Sequence, residues 1–182
     1  LLLAFETSAK AASVALFQDG KLLGESYQNT GLTHSQTLMV IAQDLIRQCG
    51  FIPADITHTA VAAGPGSFTG VRIGTAAVKG FAWAQDKPCA GVSSLLAMAF
   101  DSEEDGILCC SLKARPGESF YALFRKEGDT LTRLTEDAVG KDEEMEAAAA
   151  MHGATVFLRD CQRASGAAKA AWMQAQSGTL EN

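Results

Sequence analysis

TAVAAGPGSFTGVRIGTAAVKGFAWA, residues 59–84, decides the fold. Thr59–Ala63 is a short apolar run of the kind that forms a buried strand. Gly64, Gly66 and Gly70 interrupt it, and Val71–Ala84 then follows at helical spacing with no proline until Pro88. Strand, glycine loop and helix in succession are the repeating unit of an α/β layer. The glycines permit positive φ and close backbone approach. They also deliver the chain to a helix N-terminus, whose partial positive charge and free N–H groups suit a phosphate. A tight structural turn uses the same glycines equally well. No Gly-Lys-Ser/Thr follows, so this is not a Walker A loop, and the GxGxxxG spacing is not the dinucleotide pattern.

Working outward, Leu1–Phe5 is an apolar run that ends in the polar turn Glu6-Thr7-Ser8. Ala12–Phe17 and Lys21–Gln28 read as two strands joined by Asp19-Gly20, a strong hairpin signal. Thr33 with Gln36 three residues on predicts a capping box. Leu38, Ile41, Ala42, Leu45, Ile46 and Cys49 continue at helical spacing to a stop at Gly50. After residue 84 come a short strand, Ala90–Val92, and a helix capped by Ser93 or Ser94 that runs to Phe100. The order β-β-β-α-β-α-β-α predicts a ribonuclease H-like α/β layer. Beyond the acidic stretch Asp101–Asp105 the order recurs. Strands are expected at Ile107–Leu112, Ser119–Arg125, Leu131–Leu134 and Thr155–Leu158, with helices at Glu143–Met151 and Ala167–Gln176. The fold expected is therefore α/β and duplicated, with a domain at 1–100 and a shorter one at 106–182, the second half abbreviated. No residue-level repeat links the halves, so the duplication rests on element order alone.

Composition bounds the function. At ~150 residues per domain, 182 residues make one domain or two small ones. Hydrophobic residues at 47% and charged residues at 20% exclude disorder as the main state. A net charge of −6 offers no basic footprint for a nucleic acid backbone. Five cysteines without CxxC spacing predict reduced thiols rather than disulfides or zinc. There is no signal-type h-region and no run approaching the ~18 apolar residues of a membrane span, so a cytoplasmic protein without a membrane is expected.

Glu6, at the end of the first strand, stands where such folds place an acid. A two-metal nuclease needs several convergent carboxylates, and Thr59–Ala63 supplies none, so Glu6 is expected to cap its own turn. His34 lacks a histidine four residues on, because Leu38 stands there, and His58 and His152 lie far off; no metal site is expected. Cys109-Cys110 read as small core hydrophobes. Gly70, Gly74, Ala77, Gly80 and Ala84 make one helix small. Glycine in a helix interior costs ~0.8–1 kcal/mol relative to alanine, so another backbone must come close, either the protein's own sheet or a partner's helix.

FETS at 5–8, HSQTL at 34–38, AVAAGPGSFTGVRIG at 60–74, GVSSL at 91–95 and KARPGESFYALF at 113–124 together resemble the TsaB (YeaZ) family. The likeness covers residues 1–125, and GPGSFTG followed by Arg72-Ile73-Gly74 is its specific part. It implies the actin/Hsp70/sugar kinase superfamily fold and an accessory subunit of tRNA threonylcarbamoyladenosine modification. The catalytic paralogue TsaD holds metal through paired histidines on this first helix, and Leu38 replaces the second. Glu6, Ala63 and Lys113 depart from the Asp, Arg and Asp that the family pattern carries. The expectation is a non-catalytic subunit without cofactor. Its partners are a TsaD-like enzyme, a TsaE-like ATPase and a second copy of itself, and tRNA is met only through the complex. The alternative is an ATP-dependent small-molecule kinase of the same superfamily, which would need an acid near Lys113–Glu118. The partner interface is expected on the two helices flanking Thr59–Ala63, through His34, Leu38, Met39, Ile41, Leu45, Arg72, Gly74, Ala77, Gly80 and Phe81.

Overall fold

The structure, a computed structural model, describes residues 1–29 and 34–178. Three antiparallel strands open it: β1 (Leu2–Glu6), β2 (Ala12–Gln18) and β3 (Lys21–Gln28). The β2–β3 turn is Asp19-Gly20 with φ of 49° and 82°, the left-handed pair that matches hairpin twist. Helix α1 (His34–Gln48) returns the chain to β4 (His58–Gly64), α2 (Phe68–Ala84) to β5 (Cys89–Ser93), and α3 (Ser94–Asp101) closes the first half. Thr33, the expected cap of α1, and the side chain of His34 lie outside the described residues. The first sheet runs β3-β2-β1-β4-β5, with β4 parallel to both β1 and β5. The element order β-β-β-α-β-α-β-α is the one expected from the sequence.

The second half repeats the plan through β6 (Gly106–Arg115), β7 (Glu118–Glu127), β8 (Thr130–Arg133), β9 (Ala138–Lys141), α4 (Asp142–His152) and β10 (Val156–Arg159). Its sheet runs β10-β6-β7-β8, with β9 also on β7. β8 pairs with Phe124–Glu127 and β9 with Glu118–Tyr121, so together they act as one interrupted third strand. β9 has no sequence signal: AVGK is four residues long, holds a glycine, and leaves Val139 exposed. Among the described residues nothing corresponds to β5 and α3 beyond β10. The duplication breaks at α5 (Ala164–Ser177), which packs on the first sheet and on α3 rather than beside α4.

The resulting stack is α1 and α2, first sheet, α3 and α5, second sheet, α4. Leu3, Phe5, Val14 and Leu16 point toward α1 and α2, where Leu38, Ile41, Leu45, Ile46 and Val78 meet them. Each fully buried large side chain of this set contributes ~1.5–3 kcal/mol. Leu2, Ala4, Ala15 and Phe17 point the other way, toward the alanines of α5. Those alanines let α5 nest closely: a Cβ on Gly166 would strike the Ala97 carbonyl of α3. Gly50 at φ 83° and Gly153 at φ 70° end α1 and α4 as the left-handed stop requires.

Candidate functional site

The glycine loop closes on the protein's own backbone. The Ser67 N–H donates to the Ser8 carbonyl at 2.8 Å, and the Thr7 hydroxyl donates to the Gly70 carbonyl at 2.8 Å. Ser67 caps α2, its Oγ accepting from the Gly70 N–H at 3.2 Å. A Cβ on Gly66 would lie 2.6 Å from the Ser8 Cβ, and one on Gly70 would be driven into the Thr7 carbonyl. The glycines thus serve a close approach between this loop and the β1–β2 turn, and the structural reading accounts for them.

Beneath that turn lies Glu6, 1% exposed. Its Oε1 accepts the Ser8 N–H, the turn cap expected from the sequence, while Oε2 makes no hydrogen bond among the described residues. Burial pushes the carboxyl up to about 7, although the Ser8 and Thr7 groups around it pull in the other direction. Among the described residues no three His, Cys, Asp or Glu side chains come together to hold a metal. Near Lys113 the chain places Asp160, whose carboxylate accepts the Lys113 N–H at 3.0 Å. That acid is exposed and fixes the backbone of β6.

α1 and α2 lie side by side on one face of the first sheet. Their buried stripes contradict part of the expected interface. Leu38, Ile41 and Leu45 are buried in the protein's own core, because that stripe is the one the sheet needs. Gly74 is buried too, since a Cβ there would meet the Thr7 hydroxyl. Met39, Ala77 and Phe81 are half-buried against the same core. Of the expected residues with described side chains, Arg72 and Gly80 are exposed. A Cβ on Gly80 would meet nothing within 4 Å. So Gly70, Gly74, Val78 and Ala82 face inward, while Ala76, Gly80 and Ala84, at four-residue spacing, are exposed small residues of the same helix.

What α2 presents outward is aromatic. Phe68 is 75% exposed and Trp83 88%. Between them lie Thr69, Arg72, Ala76 and Lys79, with the Arg72 guanidinium 5.1 Å over the Phe68 ring. Phe68, Thr69, Arg72, Ile73 and Ala76 line a shallow pocket of about 380 Å³. Val40 of α1, 57% exposed, is a further apolar side chain on this helix pair. Val40 beside Met39 is surplus apolar surface on α1 by its spacing alone, while the expected list does not hold Phe68, Ala76 or Trp83. Their signal was spacing: positions 68, 72, 76, 79 and 83 form a row opposite the row 70, 74, 78 and 82.

Sequence and structure comparisons fit this fold. The family model described as tRNA N6-adenosine threonylcarbamoyltransferase (TsaD) matches residues 28–164. The chain is 32% identical over 137 residues to the tRNA threonylcarbamoyladenosine biosynthesis protein TsaB of Bacillus subtilis, covering 75% of this chain and 60% of that protein. It is 34% identical over 129 residues to TsaB of Escherichia coli, covering 69% and 55%. The chain therefore spans little more than half the length of these relatives. The structure of YeaZ from Pseudomonas aeruginosa superposes with a TM-score of 0.83 at 23% identity, over 98% of this chain and 93% of that one, which shows the shared fold.

Proposed function

Because the chain belongs to the TsaB (YeaZ) family, within the group that the threonylcarbamoyltransferase model describes, we propose that it is a non-catalytic subunit of tRNA threonylcarbamoyladenosine biosynthesis. In this reading it binds a TsaD-type enzyme and supports its action on tRNA adenosine. The observation that carries it is the outward face of α2. Phe68, Arg72 and Trp83 are the residue types that dominate binding energy at protein interfaces. They are held on a helix whose other side is locked to the sheet. A rigid helix bearing exposed aromatics loses little conformational entropy on docking.

The same face serves self-association when the enzyme is absent, and the TsaE-like ATPase joins the assembly elsewhere. The tRNA is met only through the complex, since a net charge of −6 supplies no counterion release of its own. The two halves, 1–100 and 106–182, form the domains, with α5 of the second seated on the sheet of the first. No helix among the described residues is long and apolar enough to cross a membrane, and the proposed place of work is the cytoplasm.

The test is association with a TsaD-type subunit by sedimentation velocity, using wild type, Trp83→Ala and Phe68→Ala. Loss of binding with unchanged circular dichroism supports the reading. Unchanged binding by both variants removes α2 as the docking face.

A further inference from the structure

Glu6 is fully buried, and it sits at the root of a hydrogen-bonded rail leading to the start of α2. Its Oε1 holds the Ser8 N–H. The Ser8 carbonyl holds the Ser67 N–H at 2.8 Å, and Ser67 Oγ holds the Gly70 N–H at 3.2 Å. The Thr7 hydroxyl ties the same segment at the Gly70 carbonyl. The glycines at 66, 70 and 74 leave no slack between the two segments, so neither moves without the other.

Among the described residues no counter-charge serves this carboxyl; the side chain of His34, at the start of α1, lies outside them. On β2, the residue opposite Glu6 is Ser13, whose Oγ accepts the Ala164 N–H at the start of α5. On β4, His58 pairs with Leu2 at the far end of β1 and is exposed. Arg72 and Lys79 of α2 are exposed, Arg163 pairs with Glu25 and Lys169 with Asp129. Asp101, below α5, bonds Ser165, and Lys10 is exposed. Burial and the Ser8 and Thr7 groups set the state of Glu6, with no charged side chain among the causes.

We propose that Glu6 is a proton-linked latch on the first turn of α2. With the carboxyl neutral, the β1–β2 turn stays packed on the glycine loop. Ionisation places an unpaired charge in that packing, which is relieved when the turn lifts and admits water to Oε2. Lifting the turn frees Ser67 and Gly70 and loosens the segment that carries Phe68 and Arg72. The consequence for partner docking rests on the function proposed above; the latch itself does not.

The carboxyl is held at about 7 when closed against an ordinary 4.5 when solvated. The closed-to-open ratio therefore falls about tenfold between roughly pH 6 and pH 8. The experiment is residue-resolved amide hydrogen exchange on the full chain, expressed as protection factors so that intrinsic rates cancel. Protection at Ser67 and Gly70 is expected to fall about tenfold across that range in wild type and to stay level in Glu6→Gln, with β7 amides level in both. Level protection in wild type overturns the latch, as does the same fall in the glutamine variant. If Glu6→Gln does not fold, the Glu6 side-chain carboxyl is titrated in wild type by carbon-13 NMR. A midpoint near 7 supports the latch, and one in the ordinary carboxylate range overturns it. Neither measurement involves a partner, so the latch fails or stands separately from the docking face.

Discussion

Two glycines on one helix should answer the same substitution with opposite signs. Gly70→Ala and Gly80→Ala each gain ~0.8–1 kcal/mol of helix propensity. At Gly80 that gain is kept whole, because the new Cβ meets nothing within 4 Å. For a chain of this size it raises Tm by roughly 2–4 °C. At Gly70 the new Cβ is driven into the Thr7 carbonyl, and its next neighbour, the Ser67 Cβ, stands at 3.3 Å. Backbone cannot give way as a flexible side chain would. Relief requires the β1–β2 turn to lift, which breaks the bonds from Thr7 to Gly70 and from Ser67 to Ser8. Each lost bond costs about 1 kcal/mol, and overpacking adds ~1–3 kcal/mol. The net expectation is a loss of about 2–4 kcal/mol, a Tm lower by roughly 5–15 °C. Thermal and urea unfolding by circular dichroism measure both. A Gly70→Ala protein as stable as wild type would refute the argument that the loop glycines are there for close approach. A destabilised Gly80→Ala would refute the reading of that position as open.

Further expectations follow from the same packing. Glu6 has its folded value raised to about 7 from 4.5, so the stability it contributes is complete below about pH 4.5 and is lost as pH rises through 7. The loss is about 3 kcal/mol at most, and Glu6→Gln, which cannot ionise, should unfold at higher urea than wild type at pH ~8. Gly166→Ala forces α5 off the Ala97 carbonyl of α3 and should cost at least ~1–3 kcal/mol in the same urea titration. The isolated chain should not shift tRNA in a gel at ~150 mM salt; tight binding there would show a basic surface that a net charge of −6 conceals.

Element order in the first half was legible because each element carries its own local signal. Asp19-Gly20 demands a hairpin, Gly50 ends a periodic helix, and Gly64 to Gly70 separates β4 from α2. The second half was less legible where tertiary pairing does the work. β9 exists because β7 is ten residues long and offers an edge that β8 does not fill. The seat of α5 on the first sheet has no local signature, because an alanine-rich helix fits either sheet. The candidate interface carries a similar ambiguity. Small residues in a helix announce that a backbone comes close, without saying whose. Here it is Thr7 of the same chain, and the row with Phe68 and Trp83 is the exposed one on which the proposed docking face is placed.

Docking of the catalytic partner on the outer row of α2, as proposed above, is measured most directly by titrating a TsaD-type subunit with wild type and with Trp83→Ala by isothermal calorimetry. Truncating an exposed tryptophan that becomes buried at an interface core costs ~2 kcal/mol or more. The account predicts at least a roughly thirtyfold weaker Kd for Trp83→Ala, with the far-ultraviolet spectrum and Tm unchanged because the side chain is 88% exposed in the free protein. Equal affinity for wild type and Trp83→Ala would contradict it.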